Sequence, residues 1–160
     1  MSIEVGQLTP GFTLEDKSGA EVSLDDFAGQ HVILYFYPRD DSPGCSKEAC
    51  GFRDVSRKLA KLDAVVVGIS PDDTRTHKKF IKKFKLPFTL LSDPDRKVMT
   101  SYGAFGEKMM YGKSTVGVIR STFWIGPDGK VIKHWKRISK PGDHPAIVLQ
   151  ALVARAAEEG

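Results

Sequence analysis

The sequence predicts an α/β fold, a mixed sheet flanked by helices with a β-hairpin extension at the N-terminal side. Three observations carry that expectation. Short β-branched and aromatic runs alternate with helical patterns from residue 31 onward. Pro127-Asp128-Gly129 is a turn signal between two further strand-like runs. A last helical pattern, 145–158, closes the order.

Taken in order, residues 12–14 and 21–24, around Ser18-Gly19, read as a small hairpin. Residues 31–37 (HVILYFY) form a run typical of a buried strand. A helical pattern follows from Ser42 to about Leu62, then a second strand at 64–70 (AVVVGIS). Residues 73–84 read as helix, 89–92 (TLLS) after Pro87 as a short strand, and 96–102 as helix. Residues 121–126 and 130–137 flank the Pro-Asp-Gly turn and read as a hairpin. This order is thioredoxin-like with an N-terminal extension. Fold alone does not give function.

The chain has 160 residues, 41% hydrophobic and 28% charged, as expected of an ordinary globular protein rather than a disordered or fibrous one. That length suits one domain spanning 1–160, and no repeat, low-complexity stretch or Pro/Gly/Ser linker divides it. The net charge of +4 is spread along the chain, so nucleic acid is not an expected partner. There is no apolar run long enough to span a bilayer, and no membrane partner is expected. Met1-Ser2-Ile3-Glu4-Val5 lacks the features of a secretory or transit signal, which makes the cytoplasm the expected location. Two cysteines are too few for a disulfide framework, and a close pair in a reducing compartment suggests redox chemistry.

The informative segment runs from Tyr35 to Cys50 (YFYPRDDSPGCSKEAC). A strand ends near Pro38 and a polar loop leads to Ser42-Pro43, a favoured N-cap followed by a residue favoured at the first helical position. Cys45 then falls in the first turn, where free backbone N–H groups and the macrodipole favour a thiolate. Positions 45, 49, 52, 55, 59 and 62 carry Cys, Ala, Phe, Val, Leu and Leu, one apolar stripe that turns Cys45 inward. Cys50 lies about 140° around the helix and about 7.5 Å along it, roughly 8–9 Å between Cα atoms. That exceeds the ~7 Å limit for a disulfide. If the two cysteines react, the first turns of the helix must unwind.

Plainer readings exist for each residue. A lone buried cysteine is ordinarily a small hydrophobe, but the capped helix start and the second cysteine argue against that for Cys45. Zinc fits poorly: there are two thiols, no Cys-x2-Cys, and four scattered histidines at 31, 77, 134 and 144.

The segment resembles the peroxidatic motif of the peroxiredoxins, Pro-x-x-x-Thr/Ser-x-x-Cys, matched by Pro38, Ser42 and Cys45. A cysteine five residues later, as Cys50 is, resembles the bacterioferritin-comigratory, or Q-type, subfamily. Met110-Tyr111-Gly112-Lys113, Arg120-Ser121-Thr122-Phe123 and the Pro127-Asp128-Gly129 turn are similar to stretches of that subfamily, and the likeness runs from about residue 6 to 152. Two departures stand out. Ser42 keeps the hydroxyl of the commoner Thr without its stiffening methyl. Trp124-Ile125-Gly126 replaces a stretch that usually carries a smaller apolar residue and an Asp.

The resemblance implies a thioredoxin-dependent peroxidase reducing hydrogen peroxide and organic hydroperoxides. Cys45 would become a sulfenic acid, and Cys50 would resolve it as an intrachain disulfide. It also implies that Ser42 and the Cys45 amide bond the peroxide, that Arg120 holds thiolate and leaving oxygen, that Glu48 orients Arg120, and that Pro38 shields the sulfur. Arg120 as a surface cation and Glu48 as a solvated helix residue are the plain alternatives. No metal, haem or flavin is required; the reductant would be thioredoxin or a similar dithiol protein, and the chain a monomer, with a dimer as alternative.

Two rivals remain. A thioredoxin-type disulfide reductase would need Cys-x-x-Cys, and its first position is Ser42. The basic amphipathic segment 75–85, with Phe80 and Phe84 four apart, offers a binding module or, more simply, a docked helix with a solvated lysine face.

Overall fold

The computed structural model describes residues 3–110 and 112–159, Met110 by its backbone alone. Its strands are β1 (Thr13–Glu15), β2 (Glu21–Ser23), β3 (His31–Phe36), β4 (Ala64–Ser70), β5 (Thr89–Ser92), β6 (Phe105–Met110), β7 (Lys113–Val118), β8 (Ser121–Ile125) and β9 (Val131–Trp135). Its helices are α1 (Pro43–Ala60), α2 (Thr74–Phe84), α3 (Lys97–Ser101) and α4 (His144–Glu159). Each expected strand and helix is present, with ends shifted by at most two residues.

Seven strands form one mixed sheet in the order β2-β1-β5-β4-β3-β8-β9. β3, β4 and β5 run parallel, joined through α1 and α2, while β8 is antiparallel to β3. The N-terminal hairpin joins the sheet rather than standing apart: Glu15 of β1 pairs with Ser92 of β5.

The HVILYFY run is apolar at every second position on both sides because both faces of β3 are covered. Ile33, Tyr35 and Tyr37 pack with Cys45, Ala49, Phe52 and Leu59 of α1, Phe80 of α2 and Val148 of α4. Val32, Leu34 and Phe36 turn to the opposite core, with Phe12, Met99, Tyr102 and Phe123. α1 and α4 approach closely at Gly51, where a Cβ would sit 2.7 Å from Pro145 Cγ. α2 is the docked amphipathic helix: His77, Phe80 and Ile81 are buried while Lys78, Lys79 and Lys82 are exposed.

No element is expected from the sequence over 103–119, and there the chain forms a second, two-stranded sheet of β6 and β7. Charged and small residues interrupt both strands (FGEKMM, KSTVGV), so no buried-strand pattern marks them. Only the base of this hairpin is packed, through Phe105 and Val118; Met109 and Val116 are exposed. Tyr111 of the Met-Tyr-Gly-Lys stretch lies outside the described residues, as do Met1 and Ser2. Among the described residues no helix is long and apolar enough to cross a membrane.

Candidate active site

Tyr37 is the last residue of the β3 run to join the sheet, its amide donating to Ile69 O at 3.1 Å. Half-buried Pro38 follows and cannot extend the ladder. The loop then turns through Asp41, held at φ 62°, into extended Ser42 and the Pro43 that starts α1. The first amide to close onto this helix start is Ser46 N, to Ser42 O at 2.8 Å. The Gly44 and Cys45 amides precede it, among the donors that a helix start leaves without an intrahelical partner.

Ser42 holds the N-cap position, but its side chain does not cap. Its hydroxyl donates instead to Arg39 O at 3.1 Å, a carbonyl that the left-handed turn at Asp41 brings within reach. The expectation of a side-chain cap is corrected accordingly; the hydroxyl remains three residues from Cys45, with lone pairs to offer.

Cys45 is 1% exposed. Arg120, in the short link between β7 and β8, reaches over it. Arg120 Nη2 donates to Cys45 Sγ at 3.1 Å, and Nη1 donates to Glu48 Oε1 at 2.7 Å. The guanidinium fits because Gly44 lies beneath it: a Cβ there would stand 3.3 Å from Arg120 Nη2. Arg120 is fixed from its own backbone as well, its carbonyl accepting from Ile138 N at 2.9 Å. Neither the surface-cation reading of Arg120 nor the solvated reading of Glu48 survives, for Glu48 is fully buried and the Arg120 side chain 16% exposed.

The two partners of this ion pair are pushed in ways that pull against each other. Burial outweighs the attraction of Arg120 and lifts Glu48 from 4.5 to about 7. Burial also works against the charge of Arg120, but Glu48 and then Cys45 more than offset it and raise the guanidinium further. The second shift presupposes an anionic neighbour. The direction for Glu48 is the firmer one, because its other oxygen, Oε2, is buried with no hydrogen-bond partner and is a ready place for a proton.

Two groups that sequence reasoning did not single out complete the surroundings. Tyr35 is wholly buried, and burial first, then Glu48 and Cys45, drives its hydroxyl far from ionisation. His144 pairs with Thr122 Oγ1 at 2.8 Å, and burial followed by Arg120 lowers it to about 4. It is therefore neutral at pH 7, and Arg120 is the cation beside the sulfur. Periodicity marked Tyr35 only as core, and nothing in the sequence ties 144 to 120.

Cys50 lies on the same helix, half-buried, and both thiols are free. α1 is unbroken from Pro43 to Ala60. The structure thus brings Cys45, Glu48 and Arg120 into direct contact, sets Pro38 and Ser42 in the adjoining loop, and leaves Cys50 a turn and a half away. Arranged so, a sulfur with a charged donor can attack an electrophile whose leaving atom the same guanidinium can receive. A cavity of about 640 Å³, lined by Phe27, Arg53, Arg57 and Phe88 among others, contains none of these residues. The chemistry sits at a helix start instead.

Residues 5–134 match the model of the AhpC/TSA family. Peroxiredoxin Bcp of Bacillus subtilis is 44% identical over 152 residues, covering 95% of this chain and 96% of that protein. A cysteine-to-serine mutant of Xylella fastidiosa PrxQ superposes with a TM-score of 0.90 at 31% identity, over 98% and 99% of the two chains. A structure of the Xanthomonas campestris bacterioferritin comigratory protein, from work on its alkyl peroxide reduction activity, gives 0.84 at 34% identity over 91% and 92%. Likeness at this level over nearly the full length goes beyond a shared fold, and the chain belongs to the AhpC/TSA family, among the Bcp or Q-type peroxiredoxins.

Proposed function

We propose that this chain, acting as one domain, is a thioredoxin-dependent peroxidase that reduces hydrogen peroxide and organic hydroperoxides to water and alcohols. The observation that carries the reading is the single guanidinium of Arg120 bonded to both Cys45 Sγ and Glu48 Oε1. The Cys45 thiolate attacks one peroxide oxygen; the S–O bond forms, the O–O bond breaks, and the departing oxygen takes up a proton equivalent to the one the thiol released, leaving as water or alcohol. Arg120 stabilises the charge on that oxygen. Glu48 orients Arg120, the Ser42 hydroxyl and the Cys45 amide bond the incoming peroxide, and Pro38 shields the sulfur.

The resulting Cys45 sulfenic acid is resolved by Cys50, whose sulfur attacks it to form a disulfide and release water. On an ideal helix the two Cα atoms stand roughly 8–9 Å apart, so the first turns of α1 unwind for this step. A dithiol protein, thioredoxin or one like it, then returns both thiols with two electrons, in the reducing environment of a cytoplasm. A monomer suffices for this cycle, a dimer being the alternative.

The test is Cys50→Ser with mass spectrometry after one equivalent of hydrogen peroxide. Wild type is expected to lose two hydrogens as a disulfide; the variant is expected to oxidise as fast but to accumulate a sulfenic or overoxidised Cys45. A wild-type protein that consumes no peroxide would end the proposal.

Glu48 adds a pH dependence with a definite sign. In intact α1 its carboxyl is raised to about 7, and in the unwound segment it returns towards 4.5. Its contribution to the intact helix start is complete below the lower value and is lost as pH rises through the upper one. Unwinding, and so disulfide formation, is expected to become easier between pH 5 and 7.5. In stopped-flow fluorescence, the disulfide-forming phase of wild type should gain about 50-fold over Glu48→Gln across that window. A constant ratio would show that the carboxyl does not leave its site.

A further inference from the structure

Beneath the loop that carries Pro38 and Ser42 lies a buried polar network that the chemistry above does not use. Asp40 and His77 are both buried, and His77 Nδ1 stands 2.6 Å from Asp40 Oδ2. Tyr37 donates its hydroxyl proton to Asp40 Oδ1 at 2.6 Å, and Asp40 N donates to Asp72 Oδ2 at 2.7 Å. On its other side the His77 ring places Nε2 3.0 Å from Leu91 O and 3.5 Å from Ser70 Oγ. The Ser70 proton is already given to Asp72 Oδ2, at 2.7 Å, so Ser70 presents a lone pair to the ring.

Each ring nitrogen of His77 therefore faces acceptors. A neutral imidazole beside an ionised Asp40 has one N–H and would leave the other nitrogen against an oxygen with no proton between them. One proton between Nδ1 and Oδ2 together with an N–H from Nε2 to Leu91 O satisfies the network, whichever of the two side chains holds the shared proton. Asp40, Asp72 and His77 also put potential ligand atoms within 4.8 Å of one another, but a 2.6 Å contact between Nδ1 and Oδ2 is a shared proton, not the flanks of an ion.

We propose that His77 is a positioning residue: through its buried 2.6 Å contact with Asp40 it fixes the 38–42 loop that leads to Cys45. The pair ties that loop to α2, and through Leu91 to β5, elements that carry none of Cys45, Glu48 and Arg120. The same helix holds the next residue too, Lys83 Nζ lying 2.7 Å from Asp41 Oδ2, although that exposed pair is worth little alone. The anchor lies outside the turns of α1 that unwind. It keeps the loop registered while Cys45 departs to Cys50 and returns.

This inference rests on the peroxidase reading, and its test separates the two. The first arm uses the wild-type protein labelled with 15N-histidine. His31, His134 and His144 are all shifted down, each by burial before any other cause, and are neutral at pH 8. In a long-range 1H–15N spectrum there, one ring, His77, is expected to carry a far-downfield, slowly exchanging proton that Asp40→Asn removes; four freely exchanging rings would overturn the proposal. The second arm measures His77→Gln and Asp40→Asn with hydrogen peroxide and with dithiothreitol as reductant. kcat/KM for peroxide is expected to fall about 10–100-fold while kcat/KM for dithiothreitol stays within about twofold. A purely structural role lowers both in proportion through the folded fraction, and that result, or no change in either, would refute the assignment. Wild-type protein inert to peroxide would instead sink the peroxidase reading and leave the spectrum to judge the Asp40–His77 contact.

Discussion

Cys45→Ser is expected to abolish rapid consumption of hydrogen peroxide, with the rate constant falling by at least about four orders of magnitude. A serine hydroxyl is not ionised at neutral pH, and the change removes the sulfur that Arg120 Nη2 faces. Arg120 keeps its ion pair with Glu48 and Ser42 its bond to Arg39 O, so the surroundings stay in place. Sulfur to oxygen at a buried position alters volume little, and circular dichroism and melting should be near wild type. Fast peroxide turnover in this variant, by stopped flow with folding verified, would remove Cys45 from the mechanism.

The next largest effect is expected at Arg120. Arg120→Lys keeps a positive charge but cannot bond Cys45 Sγ and Glu48 Oε1 together from one planar group. Oxidation by hydrogen peroxide is expected to slow about 10²–10³-fold, the usual loss when a donor to a developing oxyanion is removed. Arg120→Ala should slow it further, yet destabilise less than a broken buried pair commonly does. The abandoned Glu48, already lifted to about 7, can take a proton rather than remain a bare buried charge. Second-order rate constants and urea melts of both variants check the two halves of this expectation. A Lys variant at wild-type speed would show that charge alone is sufficient.

The parts of the molecule legible in the sequence were those whose signal is local. The doubly buried β3, the Ser42-Pro43 helix start and the apolar stripe through Cys45, Ala49 and Phe52 each announce themselves within a few residues. What escaped depends on distant contacts. The β6–β7 hairpin carries little apolar pattern because only its base is packed. The failed cap of Ser42 depends on a left-handed Asp41, which no propensity for Asp demands. The Asp40–His77 pair joins positions 37 apart, and the sequence offers His77 only as one of four scattered histidines. Arg120 and Glu48 stand 72 residues apart and could be paired beforehand only through a family likeness.

The tight crossing of α1 and α4 has a consequence for where the melting stops. Pro145 leaves no room for a side chain at 51, so the residue just beyond Cys50 has to be glycine, the weakest helix former after proline, at a cost of about 1 kcal/mol relative to alanine. Phe52, next in line, is wholly buried. A soft seam thus abuts a firm rivet: fraying that starts at Pro43 meets little resistance at the seam and a steep one immediately after it. The oxidised protein should keep the remaining turns of α1 clamped against α4, and the length of helix surrendered in each cycle is set by that boundary.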